Sequence, residues 1–331
     1  MKSPRPEQDR KDRGDGEEGC EEGQQGQAHL HSNRQRSQQE DRQCFDQGEV
    51  EDAHDCCDGT VRLTTTTLGI DLSSNPAKTA ACLVSWAEGG NRVESLVTGD
   101  RRSTPLENED LLGMIRAADL SGIDAPFGWP VPFVEAVRSW NGFGGWPESA
   151  TVADLRYRTT DLRIRKPRLP LSVSSDLIGV TAMRCASILD SLGESVDRSG
   201  MSGPAIEVYP AAALFRWGLV AERYKGRVHT EARRDLVAAL CTRLEGVCDV
   251  PACHRQTCES SDDALDALVA SLAVRARMLG RTQAPEVGHE ADRARVEGWI
   301  HVPDCELAEL AGRAPSAGGD RVPGQPGIGG D

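Results

Sequence analysis

Three short apolar runs each carry a single carboxylate among residues that belong in a protein interior. They are Leu68-Gly69-Ile70-Asp71-Leu72, Gly122-Ile123-Asp124-Ala125-Pro126 and Ala205-Ile206-Glu207-Val208-Tyr209. No other feature narrows the fold as far. A run that is apolar on both alternations suits a strand covered on both faces, which needs helices on either side of the sheet. Pro126 and Pro210 stop the second and third runs, because proline cannot donate to a ladder. The expected class is therefore α/β.

The remaining pattern fills in that class. Residues 79–86 and 92–97 read as two more strands, with Glu88-Gly89-Gly90-Asn91 as their turn. Pro105 opens a helical pattern through Leu111, Leu112, Ile115 and Ala118. Three hairpin-joined strands, a helix and then a strand make the opening of a ribonuclease H-like fold, a mixed sheet flanked by helices. Residues 127–200 form a long insertion after the fourth strand, with helices predicted near 131–140 and 176–192. Further helices are predicted over 211–217, 230–244 and 262–279, the last with Ser261 at its N-cap and Gly280 just past its end. Residues 298–303 read as a last short strand. No internal repeat is found.

The domain so defined spans residues 61–312, and the chain on either side differs in texture. Residues 1–60 hold 8 Lys or Arg against 16 Asp or Glu, a net charge of −8 out of −14 for the whole chain. Their few apolar residues follow no period, so they cannot bury enough surface to offset the entropy of ordering. A disordered acidic arm is expected, either an interaction arm or, preferably, a stretch upstream of the natural start codon. Residues 313–331 are rich in Gly and Pro and read as a second loose tail. No apolar run reaches membrane-spanning length, and the N-terminus lacks a basic segment followed by an apolar core. A cytoplasmic protein with no membrane partner is expected, its 11 cysteines reduced. Cys248, Cys253, His254 and Cys258 lack the paired C-x2-C steps of a zinc knuckle and read as an incidental loop.

Asp71, Asp124 and Glu207 sit where acid is locally expensive, and Asp263 and Asp266 lie three apart on one helix, sharing a face. Side chains at the carboxyl ends of parallel strands converge. Two carboxylates about 4 Å apart repel by roughly 4 kcal/mol at an effective dielectric near 20. A hard divalent cation with a preference for oxygen ligands, Mg²⁺ or Mn²⁺, relieves that cost. Local explanations compete: Asp262 and Asp263 gain from the helix macrodipole in any protein, Asp71 suits a cap for the turn at 73–75, and Asp124 suits a strand-end acceptor. Asp266 lies past the first turn and has no such explanation.

The segments GIDLS (69–73), GIDAPFGWP (122–130), YRTTD (157–161), IEVYPAAAL (206–214), DDALDALVASLAVRA (262–276) and EGWIHVP (297–303) together resemble the domain of unknown function 429 family, predicted nucleases of the ribonuclease H-like superfamily. The resemblance covers roughly residues 66–304. It implies that fold, and it implies that Asp71, Asp124 and Asp263 or Asp266 match the superfamily's metal-binding acids, while Glu207 matches the family's own motif.

Arg156, Arg158, Arg163, Arg165, Lys166 and Arg168 crowd one stretch of the insertion, and Lys225 follows Tyr224 further on. Such cations suit phosphate contacts with nucleic acid; a solvated loop balancing Asp154 and Asp161 is the alternative. Phe127, Trp129, Phe133, Trp140, Phe143 and Trp146 suit base stacking, but the simpler expectation is the insertion's own small core. The leading function is a metal-dependent nuclease in which Asp71, Asp124, Glu207, Asp263 and Asp266 form the catalytic cluster. Its rivals are a phosphotransferase of the actin and sugar-kinase type and a non-catalytic nucleic-acid-binding module. DNA versus RNA, and the oligomeric state, stay open.

Overall fold

The computed structural model describes residues 64–312 apart from 101–103, 165–168, 194–195 and 220–222. The expectations for both tails, and those for Arg165, Lys166 and Arg168, fall outside the described residues.

Strands β1 (Thr65–Asp71), β2 (Ala80–Ala87) and β3 (Gly90–Thr98) form an antiparallel meander, and helix α1 (Asn108–Ala117) returns the chain to β4 (Leu120–Asp124). β4 pairs parallel to β1, and β5 (Ala205–Glu207) parallel to β4, giving a mixed five-stranded sheet in the order β3-β2-β1-β4-β5. The fold is thus mixed α/β, a sheet flanked by helices. Between β4 and β5 lie α2 (Val131–Asn141), α3 (Val152–Arg156), α4 (Thr159–Arg163) and α5 (Ile178–Ser191). After β5 come α6 (Pro210–Arg216), α7 (Thr230–Leu244), α8 (Ala252–Ser260), α9 (Asp262–Met278) and α10 (His289–Glu297). Among the described residues, no helix is long and apolar enough to cross a membrane.

Two cores flank the sheet. On one side Leu68, Ile70 and Ile123 pack with Leu111 and Ile115 of α1 and with Cys185 and Ile188 of α5. On the other, Ala80, Cys82 and Val84 pack with α9, which is itself backed by Leu236 and Leu240 of α7 and by Leu214 of α6. A helix enclosed from several directions should be apolar nearly all round, and α9 is buried continuously from Ala264 to Ala276. It crosses β1 at Gly69, where an added Cβ would lie 2.1 Å from the Ala267 carbonyl oxygen. That glycine sets the helix against the strand, and so sets the acids of its first turns against the strand ends.

Three expectations need correction. The predicted strand at 298–303 is reduced to single bridges, Glu207 with Ile300 and Thr282 with Pro303, since β5 itself ends at Glu207. The Cys248–Cys258 stretch is not a loop: residues 252–260 are α8, and no grouping of its thiols with a metal-binding geometry occurs among the described residues. The aromatic residues form no small core. Phe127 is buried in the main core, while Trp140, Phe143 and Trp146 are 62%, 101% and 47% exposed.

Candidate metal centre

Parallel pairing puts Asp71 and Asp124, each the last residue of its strand, opposite one another in register. Asp266 reaches them from α9, one turn inside its N-terminus. One carboxylate oxygen of each of the three acids lies within 4.8 Å of the others. Asp266 is fully buried. The local explanation for Asp71 does not apply, because the turn that follows is closed by Ser73, which accepts from the Asn75 N–H, and by Asn75, which accepts from the Ala77 N–H.

Burial dominates the electrostatics. It pushes the Asp71 carboxyl well above its ordinary range, reinforced by Asp266 and Asp124, with Lys225 pulling it back. Burial also raises Asp124 to about 7, again with Lys225 opposing and Asp266 and Glu207 adding to the rise. Asp263 is raised first by burial and then by Asp262 and Asp266, although it shares a hydrogen bond with Asp71. It stands beside the three acids as a fourth, half-buried carboxyl. Asp266 accepts a hydrogen bond from the Tyr224 hydroxyl at Oδ1 (2.7 Å), and its Oδ2 forms an ion pair with the half-exposed Lys225 ammonium at 2.5 Å.

Glu207 occupies a different environment, although the sequence presents it like Asp71. Arg158 grips it with both terminal nitrogens, at 2.8 Å to Oε2 and 2.7 Å to Oε1, and the Phe127 N–H donates to Oε2. The other edge of the same guanidinium holds Asp161, through Nη2 to Oδ1 and Nε to Oδ2. Against burial, which lowers it, Glu207 and Asp161 raise the Arg158 pKa above its usual value. Gly298, at φ +90°, closes the cluster: a Cβ there would meet Glu207 Oε2 at 2.6 Å. Glu207 is therefore a structural anchor whose oxygens are already occupied.

Arg158 is corrected with it. It is 2% exposed and lies inside the protein, so it is no surface contact for phosphate. Arg163 is at the surface but engaged with Glu286 and Glu290 at 2.8 and 2.7 Å. Lys225 faces the acids.

Sequence reasoning missed Glu297. Its buried carboxylate accepts from the Val131 N–H at the start of α2, from the Thr159 N–H at the start of α4, and from Arg293. The signal was the segment EGWIHVP, where an acid stands directly before a glycine that must adopt a left-handed conformation. A hollow of about 580 Å³ between α7, α8 and the β2–β3 turn contains none of the clustered acids, which gather instead at the strand ends.

A family model described as a protein of unknown function (DUF429) matches residues 69–290, a stretch that contains Asp71, Asp124, Glu207, Asp263 and Asp266. No curated protein and no solved structure matches the chain.

Proposed function

The chain belongs to the DUF429 family, whose function is unknown, and from that premise we propose a metal-dependent nuclease of ribonuclease H-like fold, hydrolysing phosphodiester bonds at the Asp71–Asp124–Asp266 centre. Three hairpin-joined strands, then a helix, then a parallel strand is the opening expected of that fold and supports the assignment. The helices between β4 and β5 are then its insertion. One observation carries the functional reading: three carboxylates from two strand ends and one helix have oxygens within 4.8 Å of one another while two of them are pushed up by burial.

The donor set fits Mg²⁺ or Mn²⁺. It is all oxygen, it converges, and the buried Asp266 Oδ2 has a half-exposed ammonium as its counter-charge. Divalent ions supply Lewis acidity, which activates water and relieves charge on the leaving oxygen. The chain's own residues do the rest. Asp71 and Asp124 are fixed by strand register, so their oxygens converge without rotation of the backbone. Tyr224 holds Asp266 in its rotamer through Oδ1 and leaves Oδ2 to the Lys225 ammonium. The Arg158–Glu207 pair fastens the end of β5 beside Asp124. Lys225 is the described cation nearest the acids and the candidate contact for a phosphate oxygen. The phosphotransferase reading expects a glycine-rich turn after β1, and residues 72–79 contain no glycine.

The test is cleavage of labelled single- and double-stranded DNA and RNA by the purified chain in Mg²⁺, Mn²⁺ or EDTA. Metal-dependent cleavage that Asp124→Asn abolishes is expected. A chain that binds metal but cleaves none of the panel would remove the nuclease reading and favour a non-catalytic binding module.

A further inference from the structure

The cation nearest the three acids belongs to the protein itself. Lys225 reaches Asp266 Oδ2 at 2.5 Å from a backbone segment that is held on both sides. Its neighbour Tyr224 is buried, donates a hydrogen bond from its hydroxyl to Asp266, and accepts from Arg233 through its carbonyl oxygen. Gly226, on the far side, donates to Asp262 through its N–H and accepts from Arg233 through its carbonyl. The Lys225 side chain itself is unbranched and half exposed at 51%.

Resting on the metal-centre reading above, we infer that Lys225 is the centre's own counter-ion, an ammonium that competes with the divalent cation for Asp266 and swings outward when that cation binds. Proximity and like charge favour competition. Divalent ions sit about 2.0–2.6 Å from carboxylate oxygen, so an ion on Oδ2 would occupy the same shell as the ammonium. A flexible four-carbon stem allows the exchange by side-chain rotation alone. Once released, the ammonium stands at the rim of the centre, placed to meet a phosphate oxygen.

Two measurements on the full-length chain test this. In calorimetric titration, Lys225→Met should bind Mn²⁺ tighter than wild type by on the order of tenfold, equivalent to ~1.4 kcal/mol, whereas Lys225→Arg should stay near wild type. In the wild-type chain, acetylation of Lys225 followed by mass spectrometry should rise several-fold on adding Mn²⁺, a readout that needs no variant to fold. Unchanged affinity in Lys225→Met, or acetylation that stays level or falls with Mn²⁺ bound, overturns the inference and leaves the metal centre standing. If wild type binds no Mn²⁺, both fall together.

Discussion

Two buried acidic clusters lie at the same end of the same sheet, and they are resolved in opposite ways. Around Glu207 every carboxylate oxygen has a donor: Arg158 lies between Glu207 and Asp161, and the Phe127 N–H completes the set. Around Asp71 and Asp124, carboxylates face carboxylates, burial and mutual repulsion raise their pKa values, and the nearest compensating charge is one half-exposed lysine. Both clusters place acid where desolvation is costly. A carboxylate that serves the fold is supplied with its partners by the fold. Under the proposed function the second set is kept for chemistry, with a residual repulsion that a divalent cation would relieve.

If that contrast is correct, the largest effect comes from the compensated cluster. Arg158→Met leaves Glu207 and Asp161 buried without their cation and should destabilise the protein by ~3–5 kcal/mol, read as a lower denaturant midpoint. A loss below about 1 kcal/mol would mean that the cluster hydrates or rearranges freely.

The opposite sign is expected for Asp124. Its folded carboxyl, raised from 3.8 to about 7, keeps its proton over a range in which the unfolded chain has lost it. The folded state therefore binds more protons, and this residue's contribution becomes increasingly unfavourable as pH rises through that range. Asp124→Asn should then stabilise the metal-free protein at pH 8, on the order of 2–4 kcal/mol, and change little at pH 4. Chemical denaturation at both pH values decides the point, and equal effects would contradict it.

Next in size is metal linkage. Saturating Mn²⁺ should raise the melting temperature of wild type, with ~2.7 kcal/mol of stabilisation at a hundredfold excess over Kd. Asp71→Asn should lose that gain. The smallest effect belongs to Asp262, which lies in the first turn of α9, accepts from the Gly226 N–H and sits 3.6 Å from Arg233. Asp262→Asn should cost about 1 kcal/mol or less and leave Mn²⁺ affinity unchanged. Lost affinity would widen the centre by one residue.

The periodic elements were legible in the sequence because their periodicity is their burial. The predicted 230–244 coincides with α7 (Thr230–Leu244), and α9 was found from its cap and apolar run. Asp71 and Asp124 stood out because acid within an apolar strand has few uses. Asp71 and Glu207 could not be told apart, since each is one acid in one apolar run. What separates them is Arg158, 49 residues from Glu207 along the chain and concealed in a run of cations that resembles a phosphate-binding patch. Only tertiary packing turns that arginine inward. Helix α10, HEADRARVE, escaped because among its residues only Ala294 and Glu297 are buried, too few to mark a face.

The most direct test of the contrast is calorimetric titration of the metal-free full-length chain with Mn²⁺, run beside Asp71→Asn and Asp124→Asn. The account predicts saturable binding in wild type that both variants abolish while remaining folded. Saturable binding that survives both substitutions, or no binding by the wild-type chain, would contradict it.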